Sequence, residues 1–274
     1  MTDLEKHCTA LVDKSKEIVR ETFSRFKLED IAITWTGGKD STLTLWVIRQ
    51  VCAEDKLKLP RVMTIDEYDS FEEIHDFINK YEKEWKLDLT WMRNDDVVKA
   101  AGGKLNSTVY VKDLNQRNQA ELKRIGFKED SFPFEAESFT GNHLMKTVMF
   151  NMYIEQTGVK AIFQGLRRDE QNARAEDDYF EKKDKADLIP EHTRIKPILH
   201  FTERDLWNTY SVFKIPYCVL YEKGYRSLGA KTTSAIAQPG VPAWEQDLEH
   251  TTERAGRRQD KEKMMKRLRG LGYM

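Results

Sequence analysis

Ile31-Ala32-Ile33-Thr34-Trp35-Thr36-Gly37-Gly38-Lys39-Asp40-Ser41-Thr42 passes from a β-rich run through two adjacent glycines into a helical pattern. Residues 31–35 are β-branched or aromatic at four of five places, as a strand requires. Leu43, Leu45, Trp46, Ile48 and Val51 then recur at helical spacing. The unit reads as strand, tight glycine turn, helix. Paired glycines let the backbone turn sharply and approach an anion with no Cβ in the way. A helix starting near Asp40 aims unpaired N–H groups and its positive dipole end at the same point. Hydroxyls of Thr36, Ser41 and Thr42 add donors and Lys39 adds a charge, so phosphate is the natural guest of Gly37 and Gly38. The competing reading is a plain glycine turn with Asp40 as helix cap. It is not a Walker A loop, which needs Gly-x-x-x-x-Gly-Lys-Ser/Thr.

Outward from this loop the pattern repeats. Residues 5–25 have helical spacing, Arg61–Ile65 reads as a strand, 71–84 as a helix and 88–92 as a third strand. Residues 100–140 show few periods and read as an irregular insertion. Residues 144–157 are helical and lead into a buried strand over 159–163. Strands alternating with helices imply a twisted, mainly parallel α/β sheet covered on both faces. The division expected is a nucleotide-binding domain over 1–215 and a substrate-closing segment with an arginine-rich tail over 216–274. Ligands of such sheets bind beyond the strands' carboxyl ends, where the loops starting at Thr36, Asp66 and Gly165 converge.

Composition narrows the class. The 274 residues are 33% charged and 39% apolar, with a formal net charge of −1. No apolar run is long enough to span a bilayer, and residues 1–20 lack a signal peptide's apolar core, which points to the cytoplasm. Near-zero net charge gives no global pull toward nucleic acid. The basic stretch 253–269 reads either as a solvated helix face or as a segment closing over the site. Cys8, Cys52 and Cys218 are scattered without a CxxC pair, so neither a disulfide framework nor an iron–sulfur cluster held by this chain alone is expected. No metal ligand set is legible.

Thr36–Ser41 resembles the Ser-Gly-Gly-x-Asp-Ser signature of the PP-loop ATP pyrophosphatase superfamily, with Thr36 in place of serine. Asp66, Phe71 and Glu73 resemble the Asp-Thr-Gly…Phe-Pro-Glu segment of its sulfonucleotide branch; an acidic helix start fits them equally. Gly165-Leu166-Arg167-Arg168-Asp169-Glu170, with Arg174-Ala175, is similar to a segment shared by the reductases and the small subunit of bacterial ATP sulfurylase. Guanidinium forks at a strand end can grip phosphate or sulfate, or else form a surface salt-bridge loop. His143-Leu144-Met145-Lys146-Thr147 and Thr251-Thr252-Glu253-Arg254-Ala255-Gly256-Arg257 also resemble the sulfurylase subunit, whereas 216–229 resembles eukaryotic-type FAD synthase. Thr202 and Asp205 read as a capping box.

The resemblance implies an adenine-nucleotide α-hydrolase-like, Rossmann-like fold and adenylyl transfer with ATP and Mg²⁺. It assigns Lys39, Arg167 and Arg168 to catalysis and residues 36–42, Asp66 and Gly165 to ATP. Tyr225, Arg226, Ser227, Gly229, Arg254 and Arg257 fall to the acceptor and closing segment. It places adenine near Ile33 and Thr64–Asp66. Sulfate is the first acceptor expected, with a GTPase partner subunit. FMN is the second, with Trp91, Phe132 or Phe134 as a flavin slot. Assembly into a homo-oligomer is expected, and nucleic acid is not. A reductase would attack sulfur with a thiolate in a C-terminal tail. No cysteine follows Cys218, itself in an apolar setting, and Asn142-His143 stands where the iron–sulfur subgroup has cysteines. A nucleotide-binding regulator without chemistry is the remaining alternative.

Overall fold

The structure is a computed structural model that describes residues 1–170, 174–251 and 253. In chain order its main elements are α1 (Asp3–Arg25), β1 (Ile31–Thr34), α2 (Lys39–Glu54), β2 (Arg61–Ile65), α3 (Glu72–Glu84) and β3 (Leu89–Met92). Next come α4 (Asp95–Ala100), β4 (Thr108–Tyr110), α5 (Gln116–Arg124), β5 (Ser131–Pro133) and α6 (Phe139–Asn142). A π-helical turn, His143–Thr147, leads into α7 (Val148–Thr157), β6 (Ala161–Phe163), β7 (Phe180–Lys183), β8 (His192–Ile195) and α8 (Glu203–Phe213).

Six strands form one sheet in the order β3-β2-β1-β6-β8-β7. All neighbours are parallel except the edge pair β7–β8, which is antiparallel. The chain leaves β1 toward β2 on one side and later returns to β6 on the other. That reversal opens a crevice at the carboxyl end of β1, where open parallel sheets hold ligands.

Period-2 alternation sorts the strand side chains between two cores. Ile31, Ile33, Val62, Ala161 and Phe163 join Val12, Val19, Leu43, Ile48 and Val51 on one face. Ala32, Met63 and Ile162 join Leu144, Val148, Phe150 and Tyr153 on the other. The central strands β1 and β6 are therefore buried on both sides, which is why their runs read as continuously apolar. Fully buried Trp35 packs on Phe77 and Trp85 and donates its indole N–H to Thr42 Oγ1 at 3.0 Å.

The stretch 100–140, expected to be irregular, is built. β4 and β5 pair antiparallel, and Val109, Leu122, Phe132 and Phe134 enter the second core. Phe132 and Phe134 are thus packing residues and supply no flavin slot. Short strands and a nine-residue helix are too brief to show a period in sequence. The expected capping box is present: Asp205 N donates to Thr202 Oγ1 and Thr202 N donates to Asp205 Oδ2, both at 3.1 Å. Among the described residues no helix is long and apolar enough to cross a membrane.

His192, at the start of β8, donates from Nδ1 to the Pro190 carbonyl at 2.8 Å. Burial pushes its pKa down to about 4, whereas an unfolded chain holds it near 6.5. The unfolded state binds the extra proton between those values, so the contribution is complete above pH 6.5 and lost as pH falls toward 4. That loss is up to roughly 3 kcal/mol. Urea unfolding of His192→Gln is expected to flatten the stability decline over this window. Parallel pH profiles for variant and wild type would contradict it.

Candidate active site

The turn after β1 is braced by its own side chains. Gly37 holds a left-handed φ of +71°, and Gly38 caps α2 without a side chain. Ser41 Oγ accepts from Thr36 N at 3.1 Å and lies 3.0 Å from Thr36 Oγ1 and from the Gly38 carbonyl. From β6, Gly165 comes so close that a Cβ there would sit 2.5 Å from Ser41 N and 2.6 Å from the Asp40 carbonyl oxygen. Only a glycine lets the β6 loop and the N-terminus of α2 share one wall.

A buried cluster of opposite charges lies at this junction. Lys39 Nζ donates to Glu253 at 2.5 Å and to the Arg226 carbonyl at 3.1 Å, with Asp40 at 3.4 Å and Glu203 at 3.9 Å. Arg167 donates to Asp40 at 2.5 Å, to Asp169 at 2.6 Å and to the second oxygen of Glu253. Lys39 and Arg167 are 2% and 0% exposed, so each needs an anion beside it. Burial opposes the charge on Lys39, but Asp40, Glu253 and Glu203 outweigh it and raise its pKa. Burial likewise opposes the charge on Asp40, and Lys39 with Arg167 outweighs it, holding the carboxyl below its usual range. For Glu203 burial prevails, and its pKa rises beside Glu253 despite Lys39 and Arg226.

These groups border a cavity of about 260 Å³ at the strand ends. One wall is apolar, with Met63, Ile65, Phe71, Ile74, Ile78 and Trp91. Asn142, Lys146, Glu170 and Arg174 also line the cavity. Lys146 pairs with Glu67 at 2.7 Å. Buried Arg174 pairs with Glu170, and its Nε has no partner among the described residues. Residues 221–229 close one side, where Tyr221 accepts a 2.8 Å bond from Lys39 N. Thr232 donates to Asp69, and Thr233 to Glu137, tying this segment to both rims.

The family described as phosphoadenosine phosphosulfate reductase domain matches residues 30–236. The chain belongs to this family. A sulfate adenylyltransferase subunit 2 from Pseudomonas savastanoi pv. phaseolicola is 26% identical over 291 residues, covering 99% of this chain and 83% of the relative. The subunit 2 from Pseudomonas fluorescens is equally similar over the same shares. In structure, an FMN adenylyltransferase from Candida glabrata superposes with a TM-score of 0.67 at 18% identity, over 94% of this chain and 92% of that one. A phosphoadenylyl-sulfate reductase from Candida auris gives 0.55 at 16%, over 86% and 98%. At these identities the two structures establish the fold alone.

In this member of the family Thr36, Gly38, Lys39, Asp40, Ser41, Gly165, Ser227 and Gly229 line the cavity together. Gly37 makes the turn, packed near Ile74 and Ile78. Thr42 faces inward to Trp35. Arg167 joins the charge cluster, but Arg168 points away, donating to the Asp177 carbonyl and lying 5.4 Å from the Tyr179 ring. Asp66 borders a second cavity of about 800 Å³ with Arg93, beyond the stacked rings of His75 and Trp91. Tyr225 packs on Phe71, and Arg226 clamps Glu203 to the Thr251 carbonyl. Arg254 and Arg257 lie outside the described residues.

Sequence reasoning assigned no role to Glu253, Lys146, Arg174 or Tyr221. All four lie in motifs that carried the resemblance, but a charge or hydroxyl shows its partner only after folding. Cys218 is buried, its thiol 3.6 Å from the Glu73 carbonyl, and burial raises its pKa; it is not a poised thiolate. Gly165→Ala is expected to cost about 1–3 kcal/mol of stability through overpacking against α2. Thermal unfolding reads this, and an unchanged midpoint would remove the close approach from the account.

Proposed function

We propose that this protein is an ATP-dependent adenylyltransferase acting on an oxyanion, with sulfate as the first candidate. The observation that carries the reading is the convergence of Lys39 and Arg167 on the two oxygens of one carboxylate, at the N-terminus of α2. Two buried cations, the N–H groups of the helix start and the helix dipole make a cradle for phosphate. Glu253 holds these cations as phosphate oxygens would, and the β- and γ-phosphates of ATP take its place. Adenine then lies against Met63, Ile65, Ile74 and Ile78, and the acceptor meets Lys146 and Arg174 across the cavity.

An acceptor oxygen attacks the α-phosphorus in line, a new O–P bond forms, the α–β bridge breaks, and pyrophosphate leaves with the bond's electrons. Sulfate or a phosphate monoester needs no deprotonation, so positioning and electrostatic stabilisation supply the catalysis. Among the described residues no group of three or more His, Cys, Asp or Glu is arranged to hold a metal. Asp40 is already committed to Lys39 and Arg167. Mg²⁺ therefore belongs to this reading as a companion of ATP, neutralising the departing pyrophosphate. The sulfurylase relatives are named as subunits, which supports a partner subunit here; the resemblance makes it a GTPase. FMN is the second acceptor, favoured by the cavity-lining place of Tyr221, Ser227, Leu228 and Gly229 in the stretch similar to FAD synthase.

Pyrophosphate release from ATP and Mg²⁺ is expected to depend on added sulfate, and dependence on FMN instead would reassign the acceptor. Release with neither, even with the GTPase partner supplied, would overturn adenylyl transfer. Lys39→Ala is expected to lower turnover by at least about 100-fold through loss of charge stabilisation. Because it strips a counterion from buried carboxylates, it also costs about 3–5 kcal/mol of stability, so rates are compared below both melting points. Glu253→Gln is expected to tighten ATP binding about fivefold by weakening the internal competitor. Calorimetric titration reads this, and weaker binding would make Glu253 a support of the site.

A further inference from the structure

We propose that His143, Glu121 and Asn94 are positioning residues that hold the π-turn 143–147 and so aim Lys146 at the acceptor. The role rests on the adenylyl-transfer reading; the geometry stands without it. The long helix from Phe139 to Thr157 is interrupted by one π-turn, in which Val148 N donates to the His143 carbonyl five residues back. One extra residue in a turn changes the helix phase by about 100°. α7 is anchored in the second core by Val148, Phe150 and Tyr153, so it cannot rotate to absorb the change. If the turn relaxed to α-helix, the residues before Val148 would have to turn instead, pulling Leu144 and Met145 out of the same core. Asn142 and Lys146, which both line the cavity, stand in that stretch.

Two contacts from the neighbouring segment grip this turn. His143 Nε2 lies 3.0 Å from Glu121 Oε2 on α5, with both side chains fully buried. Glu121 is fixed in turn by Arg117 at 3.2 Å and Arg124 at 2.9 Å. Asn94 donates to the Leu144 carbonyl inside the turn at 2.9 Å and to Asn118 Oδ1 at 2.9 Å. His143 Nδ1 has no partner among the described residues, so this buried ionic and amide network specifies one geometry more than it adds bulk stability. The stretch that looked irregular in sequence thus has a task. Its α5, together with the cap of α4 that precedes the stretch, sets the helix phase that brings Lys146 to the lining of the cavity that Lys39 also borders.

Lys146→Cys gives a readout independent of turnover, because native Cys8, Cys52 and Cys218 are all buried. Modification of the introduced thiol by an anionic methanethiosulfonate is expected to be slowed about tenfold by saturating ATP. Adding His143→Leu is expected to change the unprotected rate about tenfold and remove most of the protection; His143→Gln, which keeps a donor near Nε2, is expected to restore both. If His143→Leu does not fold, Asn94→Asp replaces it, since it keeps the α4 cap and loses the donor to Leu144. Equal labelling rates and protection in all backgrounds would overturn the proposal. In the catalytic assay, His143→Leu is expected to raise the acceptor KM about tenfold with the ATP KM unchanged, and to add nothing to Lys146→Ala. Additive losses would reduce His143 to a structural role. A wild-type chain inactive with every acceptor would sink the adenylyl-transfer reading alone, and labelling would still decide the turn.

Discussion

A buried cation cannot be left without an anion, and the architecture around the cavity follows from that constraint. Lys39 and Arg167 come from two different strand-end loops, and neither reaches water. Their counterions come from the N-terminus of α2, the N-terminus of α8, the loop after β6 and the segment beyond residue 247. One electrostatic requirement therefore draws four parts of the chain to a point. Arg226 extends it, binding Glu203 on α8 and the carbonyls of Leu248 and Thr251. The same ion pairs that complete the fold are those that a polyphosphate would exchange for its own oxygens.

Around this centre the cavity is divided by chemistry. Apolar side chains of β2, α3 and β3 offer a surface suited to a flat ring, and Lys146 and Arg174, each paired with a glutamate, add charged groups to the lining. Such a division orients a molecule that has an aromatic end and a highly charged end. The segment 221–234 closes another side, its backbone donors bonded to Asp69 and Glu137 and its Tyr221 hydroxyl accepting from Lys39 N of α2. The π-turn supplies Lys146 to the lining, and Glu121 on α5, with Asn94 at the cap of α4, holds that turn.

The strand–turn–helix unit at residues 31–54 was legible because each local rule agreed: β-branched residues, then paired glycines, then helical spacing. The parallel sheet followed from the alternation of such units, and the capping box at Thr202 from four residues alone. Burial of the catalytic candidates was not legible. Arg167 and Arg168 are adjacent and chemically identical, yet one enters the ion cluster and the other lies over Tyr179. Lys146 and Glu253 were visible only as members of strings, since their partners, Glu67 and Lys39, lie in distant parts of the chain.

The sequence by itself determined what depends on neighbours along the chain: the glycine turn, the helix N-terminus behind it, the sheet class and the crevice at the ends of its strands. Only the tertiary structure decided which charges share a buried point, which arginine turns outward and which face of the helix after Ser138 meets the cavity. The physical reason is range. Backbone propensity and capping act within a few residues, whereas ion pairing, burial and helix phase are settled by groups that folding alone brings together.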